Sequence, residues 1–208
     1  MVNNNAFYMG PFERRDAEGT GIIEGRAIVF GQRSDLGPFD EIIDEHALDA
    51  ADLRDVRLCL NHDTSFVYAR SRNNNENSTM QLGVNEFGMD IRATLDVEAS
   101  PLAQSYYSAI NRGDIDKMSF MFVVGRDEWT DIDTDHPTRI IREIRRVLEV
   151  SAVTFPAYEQ TFIQTSRSLI EALDSARSAL ESVRAARRIE NEERARKLKL
   201  LKILAEAK

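Results

Sequence analysis

All ten glycines and all five prolines of this chain stand before residue 168. From Ser168 to Lys208 no residue type that breaks a helix occurs, and Ala, Leu, Glu, Arg and Lys dominate. That is helix chemistry, whereas the part before it is cut into short runs by turn-forming residues. A chain punctuated this way has to fold as two unlike parts. The sequence predicts a flexible lead-in over 1–20, a folded domain over 21–165 and a helical tail over 166–208.

Charge divides at the same place. The 208 residues carry 27 Lys+Arg and 35 Asp+Glu, a formal net charge of −8. Residues 166–208 hold 11 basic and 7 acidic side chains, net +4, which leaves −12 on the rest. An acidic body lacks the basic face that grips nucleic acid through bulk charge, so no nucleic-acid partner is expected. No apolar run approaches the roughly 18–20 residues of a membrane span. Met1–Gly10, with three consecutive Asn, does not read as a secretory leader. One cysteine, Cys59, permits no intrachain disulfide.

The body reads as short strands with few helices. Residues 21–31 are a β-branched run bounded by glycines, and 55–60 is a second strand. Met89, Ile91, Ala93, Leu95 and Val97 alternate strictly, the period of a half-buried strand. With 80–84 they predict a hairpin about Asn85-Glu86-Phe87-Gly88. Ser100-Pro101 predicts a helix start and Gly113 its end. Residues 117–124 are strand-like, and 140–153 is a long run of branched residues, two strands or one bent strand. Residues 41–53 are a short helix candidate. No βαβ repetition occurs, which points to an α+β, mainly β fold: a largely antiparallel sheet or barrel with helices packed on it.

Three polar residues interrupt these apolar runs. His62 ends a strand in Leu60-Asn61-His62-Asp63. Ser119 sits in Met118-Ser119-Phe120-Met121-Phe122, and Glu149 in Leu148-Glu149-Val150-Ser151-Ala152-Val153. A buried hydroxyl or carboxylate destabilises unless it has a partner. Ser119 is therefore either a small filler bonded to the backbone or a hydroxyl facing a histidine. Glu149 is at an edge, ion-paired, or holding an imidazole, and Ser151 shares its face of the strand. Together the three offer a base, a nucleophile and a group that orients the base, in a chain order unlike the familiar triads.

Other candidates carry less. Asp131 to Asp135 starts like a calcium loop, but His136 stands where Gly is needed and Arg142 where Glu is needed. Cys59 and His62, three apart, do not share a strand face. No metal-ligand spacing, phosphate loop or dinucleotide fingerprint is present, so neither metal nor cofactor is expected.

The motifs resemble those of the prohead maturation serine proteases of tailed phages, of the HK97 type, distant relatives of the herpesvirus assembly proteases. The likeness runs from about Ala17 to Arg167. It rests on Ile-Glu-Gly-Arg-Ala-Ile-Val-Phe-Gly at 23–31, Leu-Asn-His-Asp at 60–63, Gly-Asp-Ile-Asp-Lys-Met-Ser-Phe-Met-Phe at 113–122 and Leu-Glu-Val-Ser-Ala-Val-Thr-Phe-Pro-Ala-Tyr at 148–158. The resemblance implies a small, mostly antiparallel β-barrel surrounded by helices. It implies Ser119 as nucleophile, His62 as general base and acid, and Glu149 as the residue orienting His62. Met121 departs from the family, which often has Gly there. The implied substrates are the scaffolding segment of the major capsid protein and the protease itself. The implied setting is the assembling procapsid in the host cytoplasm, with self-association as a dimer and a tail that engages the scaffold. A non-catalytic assembly protein of the same fold, or an unrelated esterase, is the competing expectation.

Overall fold

The computed structural model of the chain describes residues 5–11, 21–154 and 167–206. Ten strands and two helices occur there: β1 Asn5–Pro11, β2 Ile22–Val29, β3 Arg33–Asp35, β4 Asp40–Ile43, β5 Val56–Leu60, β6 Ala69–Ser71, β7 Met80–Asn85, β8 Gly88–Thr94, α1 Pro101–Asn111, β9 Lys117–Thr130, β10 Thr138–Val153 and α2 Arg167–Glu206.

Local chemistry accounts for several of them. In β8 the alternating Met89, Ile91 and Ala93 are buried. The β7–β8 hairpin closes at Gly88, whose φ is +148° and where a Cβ would meet Ile28 O at 1.8 Å. Only glycine fits that position. Ser100 caps α1 by accepting from Ala103 N at 3.2 Å, with Pro101 in the first turn.

The strands form two sheets. One has the order β1-β9-β10-β4-β3, with β5 and β6 continuing from another part of β10; the other is β2-β8-β7. The fold is thus α+β and strand-rich, and the hydrogen-bonded ladders of the described strands do not close into a barrel. Pairing is antiparallel apart from β10 with β4 and with β5, which is parallel.

Strand β10 organises the first sheet. Its Thr138–Ile141 end pairs with β4 and its Glu149–Ala152 end with β5. Register shifts between Ile141 and Glu149, opposite β9, bend the strand between those two partners. The even-numbered Met118, Phe120 and Phe122 of β9, with Val150 and Ala152 of β10, enter the hydrophobic core. Ser119 and Met121 of β9 face Ser151 and Glu149 of β10 on the opposite side of the sheet.

The structure differs from the sequence reading in two places. Residues 41–53, expected as a helix, form β4 and then a series of turns, with Ala47, Asp49 and Ala51 N–H groups each bonding a carbonyl three residues back. The β-branched Ile42 and Ile43 instead pair in parallel with Ile140 and Ile141. Within the segment expected as a lead-in, Asn5–Pro11 forms β1 along β9. Helix α2 meets the body through buried Ala176 and Leu180, and Arg184 donates to Ile132 O at 2.7 Å and Thr134 O at 2.9 Å.

Candidate active site

The site begins where β5 ends. Asn61 and His62 have left-handed φ values of 49° and 61°. Two such residues in succession turn the chain back sharply, and a non-glycine residue held there costs about 1–3 kcal/mol. Surrounding bonds hold the turn. Asn61 N donates to Ala152 O at 3.0 Å. Asn61 Nδ2 donates to Thr154 Oγ1 at 3.0 Å, and Thr154 N returns a bond to Asn61 Oδ1 at 2.8 Å. His62 N donates to Ser151 Oγ at 3.1 Å. The turn thereby carries the imidazole over the side of the sheet that bears Glu149 and Ser119.

Glu149 is 1% exposed, and its two oxygens have separate partners. Oε1 lies 2.5 Å from His62 Nδ1, and Oε2 accepts from Ser151 Oγ at 2.5 Å. An ionised carboxylate only accepts, so Nδ1 carries the proton and Nε2 is the basic ring nitrogen. Each bond to the buried charge contributes about 1.5–3 kcal/mol, which offsets its removal from water.

Ser119 is 2% exposed and stands directly opposite Ser151 in the β9–β10 ladder. Opposed residues on an antiparallel pair share a face, with Cβ atoms about 4.5–5.5 Å apart. His62 and Glu149 are therefore joined by direct contact. Ser119 reaches them through strand register, across from the serine that bonds both.

Other titratable groups nearby stay in one form. Burial pushes the Cys59 thiol up to about 12, with the Glu149 carboxylate adding to the effect, so it remains protonated near neutral pH. Burial likewise raises the Tyr106 phenol, whose hydroxyl donates to Cys59 O at 3.2 Å. The Ser65 amide holds Asp63 below the usual carboxylate range.

The remaining histidines lie elsewhere. His46 is exposed beside Glu45 and Asp49, and His136 contacts Asp40 Oδ1 at 3.0 Å. A cleft of about 480 Å³ on the β2-β8-β7 sheet is lined by the paired Arg26 and Asp90 and holds none of the three candidates. Sequence reasoning placed Ser151 on the face of Glu149 without assigning it a task, and it passed over Asn61. The signal for the turn was Asn-His-Asp itself, residue types enriched in left-handed backbone.

Comparison with known proteins brings a family into view. The profile of the family described as Caudovirus prohead serine protease matches residues 11–176. The prohead protease of Enterobacteria phage HK97 is 32% identical over 152 residues, covering 72% of this chain. The aligned part spans 61% of that protein's own length. No solved structure matches.

Proposed function

The chain belongs to the caudovirus prohead serine protease family, and from that premise we propose that Ser119, His62 and Glu149 hydrolyse peptide bonds during prohead assembly. The observation that carries the proposal is the 2.5 Å contact of His62 Nδ1 with buried Glu149, placed beside the Ser119 position of the sheet.

In this reading His62 Nε2 takes the Ser119 proton as Oγ attacks the scissile carbonyl. Glu149 fixes the tautomer and stabilises the imidazolium that forms. His62 then returns the proton to the leaving amine; water, deprotonated by the same nitrogen, attacks the acyl carbon, and the proton passes to Ser119 Oγ as its bond to the acyl group breaks. Backbone N–H donors would stabilise the oxyanion, each by about 3–4 kcal/mol.

The substrates in this reading are the scaffolding segment of the major capsid protein and the protease itself. The setting is the assembling procapsid in the host cell, and the enzyme self-associates as a dimer. The protease domain is 21–165. The tail from 166 packs with scaffold helices to load the enzyme and is then removable. Supporting the tail's separate task, its described residues beyond Arg187 are exposed. The barrel of the herpesvirus assembly proteases is part of the same reading; β1 runs near β2, and β6 near β7, where the two sheets meet.

The test is coexpression with its cognate major capsid protein, followed by mass spectrometry of both chains. Cleavage of the capsid protein's scaffolding segment that disappears with Ser119→Ala is expected. An unchanged pattern in that variant would overturn the assignment.

A further inference from the structure

We propose that Ser151 is a positioning residue for His62 and Glu149, setting the imidazole and the carboxylate against each other through one hydroxyl. The proposal rests on the reading of Ser119, His62 and Glu149 as the catalytic set.

A serine hydroxyl has one proton to give and lone pairs to receive. Ser151 uses both within the site: Oγ donates to Glu149 Oε2 at 2.5 Å and accepts from His62 N at 3.1 Å. With the 2.5 Å contact between Glu149 Oε1 and His62 Nδ1, these bonds close a ring. His62 is thus gripped at its backbone and at its side chain by groups that are themselves joined. The ring fixes what neither bond alone fixes, the direction in which the imidazole leaves a left-handed backbone. It also gives Glu149 a second, charge-assisted bond, which keeps the carboxylate from rotating away from Nδ1.

The location of Ser151 suits this task better than that of a second nucleophile. It is fully buried on β10, flanked by Cys59 on β5 and Ser119 on β9. Its proton is committed to Glu149 and its lone pair to the His62 amide. Ser119, one strand away, shows no such pair of side-chain bonds among the described residues and is the residue left to react.

Groups that orient a metal-binding imidazole contribute about 10- to 100-fold, and the same scale is expected for an imidazole oriented as a base. Two readouts follow on the full chain. The first is the rate at which a fluorophosphonate probe labels Ser119, with fluoride as the leaving group, measured by intact mass. The second is the low-field proton resonance of the His62 Nδ1–H, assigned by its absence from His62→Ala. Ser151→Ala is expected to label about 10- to 100-fold more slowly and to lose or shift that resonance. Ser151→Thr, which keeps the hydroxyl, is expected to recover most of both.

If Ser151→Ala labels at the wild-type rate and keeps the resonance, the positioning role is overturned. Should Ser151→Ala fail to fold, Ser151→Cys keeps the approximate size with a much weaker donor. Slow labelling of Ser151→Cys supports the role, and wild-type labelling overturns it. Ser119→Ala separates the two levels of inference. If it is still labelled, the catalytic set falls and the role of Ser151 with it. If it is unlabelled while Ser151→Ala behaves as wild type, only the role of Ser151 falls.

Discussion

The two ends of the β9–β10 hairpin both bury charge, and they do it differently. At one end Glu149 meets His62 and Ser151 in a closed ring, and the His62 side chain keeps 13% of its surface exposed. At the other, Arg139 is 3% exposed between Glu41 at 3.2 Å and Asp127 at 2.7 Å, with Trp129 beneath its guanidinium. That far end is less fully satisfied, since Glu41 Oε1 and Trp129 Nε1 are buried without a hydrogen-bond partner among the described residues. Arginine keeps its proton in a protein, so the far end acts as a clamp, whereas an imidazole can give its proton up. Burial of charge alone does not mark a reactive site. The proposed site differs in joining its buried charge to an imidazole that can exchange a proton.

Substitutions at each end break or sharpen that contrast. The largest effect belongs to Ser119→Ala, expected to lower peptide cleavage by about 10⁶-fold with the melting temperature nearly unchanged. Cleavage kinetics beside a thermal melt would show whether the loss is chemical. Glu149→Gln keeps the shape of the carboxylate but not its charge, and a drop of about 10⁴-fold in kcat is expected.

At the far end the loss should appear in stability instead. Arg139→Met leaves two carboxylates facing each other without their cation, and a loss of about 3–5 kcal/mol in denaturant unfolding is expected. Fluorophosphonate labelling of the fraction that remains folded should be unchanged; a parallel fall in labelling would mean that the two ends are coupled.

The smallest effect is one of pH. Burial, only partly offset by Arg139, pushes the Glu41 carboxyl up to about 7 from 4.5. The folded state therefore binds this proton more tightly than the unfolded chain does. The stabilisation is fully present below about pH 4.5 and is lost as pH rises through about 7. Glu41→Gln should flatten this part of the stability–pH curve, which spans up to about 3 kcal/mol. Urea melts at pH 5 and pH 8 would check the sign.

What could be read from sequence was mostly local. The alternation of Met89, Ile91 and Ala93 and the Ser100-Pro101 cap each depend on a few neighbouring residues, and both are found in the structure. The pairing of Ile42 with Ile140 joins strands about a hundred residues apart, and no nearby pattern announces it. The pairing of Asn5–Pro11 with β9 is invisible for the same reason. In the candidate site, His62 and Glu149 were legible as polar residues in apolar runs. The left-handed turn that swings His62 over the sheet was not, because only the bonds to Ser151, Ala152 and Thr154 make it tenable.

The register shifts in β10 bear on how this hairpin can change its length. Continuing the alignment of Thr138 with Thr130 without interruption would place Glu149 opposite Ser119; the shifts place Ser151 there. β10 thus carries two more residues than β9 over this stretch: removing two between Ile141 and Glu149 would leave Ser151 opposite Ser119 in an unbroken ladder but take out the bend that lets β10 meet β4 and β5 in turn. Deletions at these shifts therefore act on the curvature of β10 before they act on the pairing of the site, and a homologue with a shorter β10 should show a straighter strand with an altered contact to β4 or β5.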